Sequence, residues 1–271
     1  MKARAASGAV KRSAGTMSVS RGCPHTFLID TEWQGSENIL GEEMANILAS
    51  NLLSTLVRKG TSPAESSSFL ALDYLSPGQL SQILRLPRGA ISEIVGRTSS
   101  GRTALLHAIL AESLGRGEIC AFIDCADSFD PVTARNNGVA LERLLWVRCG
   151  QKPDNALPER ALKAADWILH GGGFGVLVLD LCDASPETLR RIPLPWWYRF
   201  RRALESTTSI LAIAGSDSIA GSCASCVIEM ERRGARWCGS AQVPVLDGID
   251  FRAASRKPVR AAAPLRAVLA G

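Results

Sequence analysis

Gly96-Arg97-Thr98-Ser99-Ser100-Gly101-Arg102-Thr103 follows the apolar run Ala90 to Val95 and opens the helix-patterned stretch Thr103 to Leu114. A strand passing through a glycine-bounded loop into a helix gathers backbone N–H groups and a helix N-terminus around anionic oxygens. Gly96 and Gly101 permit the tight turn, Ser99 and Ser100 add hydroxyls, and Thr103 offers its oxygen where a phosphate-bound magnesium ion takes one. Lysine belongs just before that threonine. Arg102 stands there instead, a larger planar cation that is aimed differently, so the exchange is not conservative. The same stretch also suits a purely structural strand-to-helix turn.

Downstream, Gly175-Val176-Leu177-Val178-Leu179-Asp180 is an apolar strand that ends in a carboxylate, the arrangement in which an aspartate holds magnesium through its water shell. Between and beyond these two pieces, extended and helical patterns alternate. Ile119 to Asp124 and Leu144 to Val147 read as strands, Glu159 to Leu169 as helix, Pro195 to Ser206 as helix and Ser209 to Ala214 as strand. Such alternation predicts an α/β fold with a mostly parallel central sheet flanked by helices. Beyond Gly215 the helical patterns stop, and Val227 to Met230 and Arg236 to Val245 predict extra C-terminal strands.

Upstream, Met44, Ile47, Leu48, Leu52, Leu53, Leu56 and Val57 recur at helical spacing within Glu42 to Arg58. This predicts an N-terminal helix, and Gly60 to Ser68 reads as a linker. The expected division is a disordered basic arm over 1–21, the helix and linker over 22–68, a nucleotide-binding core over 69–251 and a basic flexible tail over 252–271. The net charge of +5 is unevenly placed. Five bases and no acid lie in 1–21, and five bases and no acid in 252–271. Removing these ten from 31 bases leaves 21 against 26 acids, so the middle carries about −5. Basic ends on an acidic core suit arms that touch phosphate backbones, or simply solvated tails.

No apolar stretch approaches the roughly 20 residues a spanning helix needs, and no apolar block follows the N-terminal bases. The expectation is a cytoplasmic chain with no membrane partner. Of eight cysteines, Cys120, Cys125, Cys149 and Cys182 lie in or beside strand-like runs, where a reduced thiol behaves as a small hydrophobe. Cys223 and Cys226 form one C-x-x-C that lacks the four ligands of an ordinary structural zinc site. His25, His107 and His170 are scattered.

Cys120-Ala121-Phe122-Ile123-Asp124-Cys125-Ala126-Asp127-Ser128-Phe129-Asp130-Pro131 matches the C-A-F-I-D-A-E-H-A-L-D-P run of bacterial RecA recombinases, and Gly96 to Thr103 matches their G-P-E-S-S-G-K-T loop. From Leu86 onward the chain resembles that family, most closely over Gly89 to Gly138. The resemblance implies a RecA-like P-loop core that binds ATP and magnesium. Gly96, Ser99, Ser100, Gly101, Arg102 and Thr103 would lie on the phosphates, Asp130 near the adenine, and Thr103 and Asp180 on the metal.

The departures bear on activity. The glutamate that positions water in RecA-like proteins falls on Ala126, with Asp127 one residue late, and the adenine-stacking tyrosine falls on Thr133. Losing a general base costs about 10²- to 10⁴-fold in rate, so at most weak ATP hydrolysis is expected. The long mobile DNA-pairing loops of the family are shortened. In place of the first stands Pro193-Leu194-Pro195-Trp196-Trp197-Tyr198-Arg199-Phe200-Arg201-Arg202. These aromatics either bury against the sheet or stack bases, and Arg199, Arg201 and Arg202 are candidate contacts to single-stranded DNA or a protein.

Truncated RecA relatives of this degenerate kind resemble the ImuA type, accessory factors that work with a Y-family polymerase homologue in SOS-induced translesion synthesis. That likeness implies a DNA-repair adaptor, with self-association and other repair proteins as further partners. Two other readings stand beside it. One is an active DNA-dependent ATPase of homologous recombination, and the other is an interaction protein resembling SulA-type cell-division inhibitors.

Overall fold

A strand buried on both faces reads as an unbroken apolar run, and such runs make the centre of the sheet. The protein is described here from a computed structural model covering residues 16–21, 27–32, 68–72, 84–149, 157–182, 184–240, 243–259 and 263–268. In chain order the strands are β1 (Thr16–Arg21), β2 (Phe27–Glu32), β3 (Phe69–Ala71), β4 (Arg85–Pro87), β5 (Ala90–Gly96), β6 (Cys120–Asp124), β7 (Leu144–Arg148), β8 (Val176–Asp180), β9 (Ile210–Gly215), β10 (Ala224–Ser240), β11 (Val243–Lys257) and β12 (Ala263–Val268). The helices are α1 (Arg102–Gly115), α2 (Pro131–Asn136), α3 (Leu157–Gly171), α4 (Pro186–Arg190) and α5 (Leu194–Leu204).

Ten strands form one sheet in the order β1-β2-β7-β6-β8-β9-β5-β10-β11-β12, and β3 pairs with β4 in a small separate hairpin. From β2 to β10 every neighbour is parallel. Antiparallel strands flank this block, β1 on one side and β11 and β12 on the other. The mostly parallel α/β fold expected from the alternating pattern is therefore present, with its extra C-terminal strands.

Side chains alternate across the pleat, so each central strand feeds two cores. On β6, Ala121 and Ile123 join a cluster with Ala161, Leu162, Ala165 and Ile168 of α3 and Trp197, Phe200 and Leu204 of α5. Cys120 and Phe122 point the other way, into a cluster with Leu105, Leu106, Ile109 and Leu110 of α1 and Leu70, Leu84 and Leu86 of the small hairpin. Helices thus cover both faces, as a parallel sheet requires.

Three expectations differ from what is observed. Thr16–Arg21, assigned to a disordered arm, is strand β1, paired in register with β2 from Thr16↔Glu32 to Arg21↔Phe27. The segment from Arg252, assigned to a flexible tail, carries the end of β11 and all of β12, with Ala253 and Leu265 buried. Strand pairing, which composition does not register, holds the described parts of these two segments. Arg236 to Val245 is not one strand but the far end of a hairpin, with Ser240 opposite Val243. The expected helix over Glu42 to Arg58 lies outside the described residues, as does all but the last residue of the expected linker. Among the described residues, no helix is long and apolar enough to cross a membrane.

Candidate functional site

Parallel strands bring their C-terminal ends to one edge of the sheet, where side chains from several loops meet. At that edge β5 runs into the glycine loop, β6 ends at Asp124, β7 at Arg148 and β8 at Asp180. β9 lies between β5 and β8, so Asp180 stands two strands, or about 10 Å, from the loop strand.

The loop is held in a shape that only its own residues permit. Ser99 and Gly101 have positive φ, 61° and 91°. A Cβ on Gly101 would lie 2.8 Å from the ring of Phe251, and one on Gly96 would lie 2.5 Å from the Met230 carbonyl oxygen. β10 and β11 therefore press on the loop from the side, a contact that no motif in the sequence signals. Ser100 is 2% exposed and Arg102 8% exposed. Ser100 Oγ and Arg102 Nη1 have no hydrogen-bond partner within the protein. Two buried polar atoms left unmatched in one loop are costly unless a ligand completes them. A guanidinium and a hydroxyl at the N-terminus of α1 fit the oxygens of a phosphate. Thr103 is exposed at the first turn of α1 and Asp180 is 9% exposed. These two would hold a magnesium ion carried in with the phosphates. Asp180 Oδ1 also accepts a hydrogen bond from the Cys182 N–H at 3.0 Å. Among the described residues, no cluster of three or more His, Cys, Asp or Glu side chains is placed to hold a metal alone.

The other acids of the edge are committed elsewhere. Asp124, fully buried, accepts from the Ser128 and Phe129 N–H groups at 3.0 Å each and from Trp146 Nε1 at 3.2 Å. It shapes the turn that follows β6. Ala126 stands in that turn without an ionisable group. Asp127, one residue past Ala126, is not on a strand and occupies a left-handed turn position with φ 57°. Both its carboxylate oxygens accept from Arg148 of β7, the Nε bond being 2.5 Å. A carboxylate held bidentately by a guanidinium has its lone pairs engaged and is a poor base.

Asp130 caps α2. Its carboxylate accepts from the Val132 and Thr133 N–H groups at 3.0 and 3.1 Å and from the Thr133 hydroxyl. The Thr133 hydroxyl and these amides hold the Asp130 pKa below its ordinary value. Nearby, His107 of α1 is 2% exposed, meets the edge of Phe129 with ring centroids 6.0 Å apart, and contacts Asn137 Nδ2 through Nδ1 at 2.9 Å. Burial lowers its pKa, partly opposed by Asp130.

The Trp-rich segment is away from this loop. Trp197 and Phe200 of α5 are 1% and 0% exposed in the α3 cluster, so burial is the outcome for them, while Tyr198 stays exposed. Arg199 binds both oxygens of the buried Asp166 of α3 at 2.6 Å, and Arg201 pairs with Glu205 at 3.1 Å. Arg202 is exposed. Sequence reading also missed Glu93, buried on β5, which accepts from the Ser218 hydroxyl and the Ile219 and Ala220 N–H groups at 2.5, 2.7 and 2.8 Å. The only signal was an acid inside an apolar run. Glu93 pins the short segment after β9 to the loop strand.

Residues 64–188 match the RecA N-terminal domain family. Protein RecA of Acidiphilium cryptum is 42% identical over 116 residues, which is 41% of this chain and 32% of that protein. Protein RecA of Rhodospirillum rubrum is 38% identical over 121 residues, 43% of this chain and 31% of that protein. The chain thus spans about a third of the length of these curated relatives. Among solved structures, the flagellar accessory protein FlaH from Methanocaldococcus jannaschii aligns with a TM-score of 0.45 and 13% identity, covering 71% of this chain and 88% of that one. The family match and the two RecA relatives support a RecA-like family.

Proposed function

We propose that this chain is a RecA-like accessory protein of DNA repair that binds ATP with magnesium but hydrolyses it weakly, serving as an adaptor in translesion synthesis. The observation that carries this reading is the loop itself. Ser100 Oγ and Arg102 Nη1 are buried and unmatched, as in a site waiting for an anion, whereas the nearest acid to the Ala126 position is held by Arg148. Magnesium-bound ATP supplies a polarised γ-phosphate. The chain's residues would orient that phosphate: loop amides and Arg102 would pair with its oxygens, and Thr103 and Asp180 would hold the metal. No residue of the β6 turn is placed to take a proton from water, and bound nucleotide would therefore act as a structural ligand.

On this reading the partners are single-stranded DNA, a Y-family polymerase homologue or other repair proteins, and further copies of the chain, in the cytoplasm. Exposed Arg202 is the first candidate contact on α5, because Arg199 and Arg201 already hold Asp166 and Glu205.

Calorimetric titration of the purified chain with magnesium-ATP tests the binding half, and phosphate release with and without single-stranded DNA tests the catalytic half. Binding is expected, and Arg102→Ala should weaken it at least tenfold, about 1.4 kcal/mol. Arg102→Lys with Ala126→Glu should raise hydrolysis by about 10²-fold or more. Rapid DNA-stimulated turnover by the unaltered chain would overturn the adaptor reading and favour a recombination ATPase.

A further inference from the structure

Asp124 and Arg148 are register partners at the ends of the parallel strands β6 and β7, and each is followed by a cysteine. The Cys149 N–H donates to the Asp124 carbonyl at 3.1 Å, so the two chains are still side by side where the cysteines begin. Cys125 and Cys149 are 3% and 0% exposed and belong to the same core cluster, so both point to the α3 side of the sheet. The Cys149 thiol is close enough to raise the pKa of the Cys125 thiol. Each cysteine directly follows a member of the last register pair, and residues side by side on adjacent strands lie about 4.8 Å apart, inside the roughly 4.4–6.8 Å of Cα separation that a disulfide spans. Cys120 faces the opposite core and donates to Ser113 Oγ, and Cys226 donates weakly to the Arg85 carbonyl.

We propose that Cys125 and Cys149 form a redox-responsive dithiol, converted to a disulfide by a low-molecular-weight disulfide of the glutathione type. One cysteine thiolate attacks the oxidised reagent, making a mixed disulfide and expelling one reduced thiol. The second cysteine then attacks the protein sulfur of that mixed disulfide and expels the other reduced thiol. Two protein thiols are oxidised and one reagent disulfide is reduced, and the two protons pass to the departing thiolates. The contact with Cys149 and burial together hold the Cys125 thiol well above the ordinary thiol range. Exchange is therefore slow in the closed state and proceeds when the strand ends open.

The position gives the bridge a consequence. It ties the same two strand ends that the Asp127–Arg148 pair joins, fixing the β6 turn at the sheet edge that carries the phosphate loop. Because the two backbones already stand at sheet spacing, closure needs no separation of strands. It removes freedom from the unfolded chain and so raises the melting temperature.

The test uses the full chain incubated with oxidised glutathione, in buffer and in urea well below the unfolding midpoint, then alkylated, digested and mapped by mass spectrometry. A Cys125–Cys149 linked peptide is expected, forming faster in urea and disappearing with dithiothreitol. The oxidised chain should melt several degrees higher than the reduced one, with no such rise in Cys149→Ala. Recovery of both residues fully alkylated after prolonged oxidation in urea, or a bridge from either to a different cysteine, overturns the proposal. The mapping is done on the unaltered chain, so it stands even if Cys149→Ala fails to fold.

Discussion

Gly101 concentrates the constraints on the phosphate loop into one missing methyl group. Its φ of 91° is a region L side chains rarely adopt, and its Cα faces the Phe251 ring at a distance no Cβ tolerates. Gly101→Ala adds backbone strain to overpacking and is expected to destabilise the chain by about 1–3 kcal/mol, read as a lowered urea midpoint at unchanged slope. His107 offers a second single-residue outcome. Burial lowers its pKa in the folded state, and its Nδ1 faces a side-chain N–H of Asn137 as an acceptor, which a protonated ring cannot be. The unfolded chain, with an ordinary value of about 6.5, therefore binds the proton first. The stability at stake is intact above that pH and is lost as pH falls through it toward the lowered native value. In denaturation series between about pH 7.5 and 5.5, His107→Gln should flatten this part of the decline. An unchanged profile would mean that His107 does not titrate on unfolding.

Elements were legible in the sequence wherever one periodicity ruled. The strand–loop–helix around Gly96 and the apolar run ending at Asp180 are found where the pattern puts them, because central strands and the loop helix bury their side chains on terms the local pattern records. The ends were misread for a physical reason. β1, β11 and β12 are held by antiparallel ladder hydrogen bonds to strands next to them in the chain, and these short polar or alanine- and arginine-containing segments carry no periodic sign of that pairing. Partners of charged groups were equally hidden, since Asp127 with Arg148 and Arg199 with Asp166 join different elements. The α3–α5 contact shows what this means for mutagenesis. Asp166 has a side chain 8% exposed and holds both Arg199 bonds, so Arg199→Ala strands it and should cost about 1–2 kcal/mol. Arg202→Ala, one turn on and exposed, should stay within about 0.5 kcal/mol. If Arg199→Ala weakened binding to single-stranded DNA without lowering stability, the arginine would be a contact residue and not a helix clamp.

At the scale of the whole molecule, the two cores are not independent, because they are opposite faces of the same strands. Phe200 belongs to the α3–α5 side and Phe251 to the α1 side, both 7% exposed or less, yet the strands carrying their neighbours alternate residue by residue between the two clusters. Emptying either side weakens strands that the other side needs, so unfolding should be one transition. Phe200→Ala and Phe251→Ala are each expected to cost about 3–5 kcal/mol by lost burial and the cavity left behind. Circular dichroism and tryptophan fluorescence should report the same midpoint in each variant. The fluorescence draws on both sides at once, since Trp197 lies in one cluster and Trp146 packs against the other. Separate midpoints in Phe251→Ala would show that the α1 face, with the phosphate loop it supports, opens while the rest of the sheet stays folded. Nucleotide would then be binding to a locally melting element, and saturating magnesium-ATP should bring the two midpoints back together.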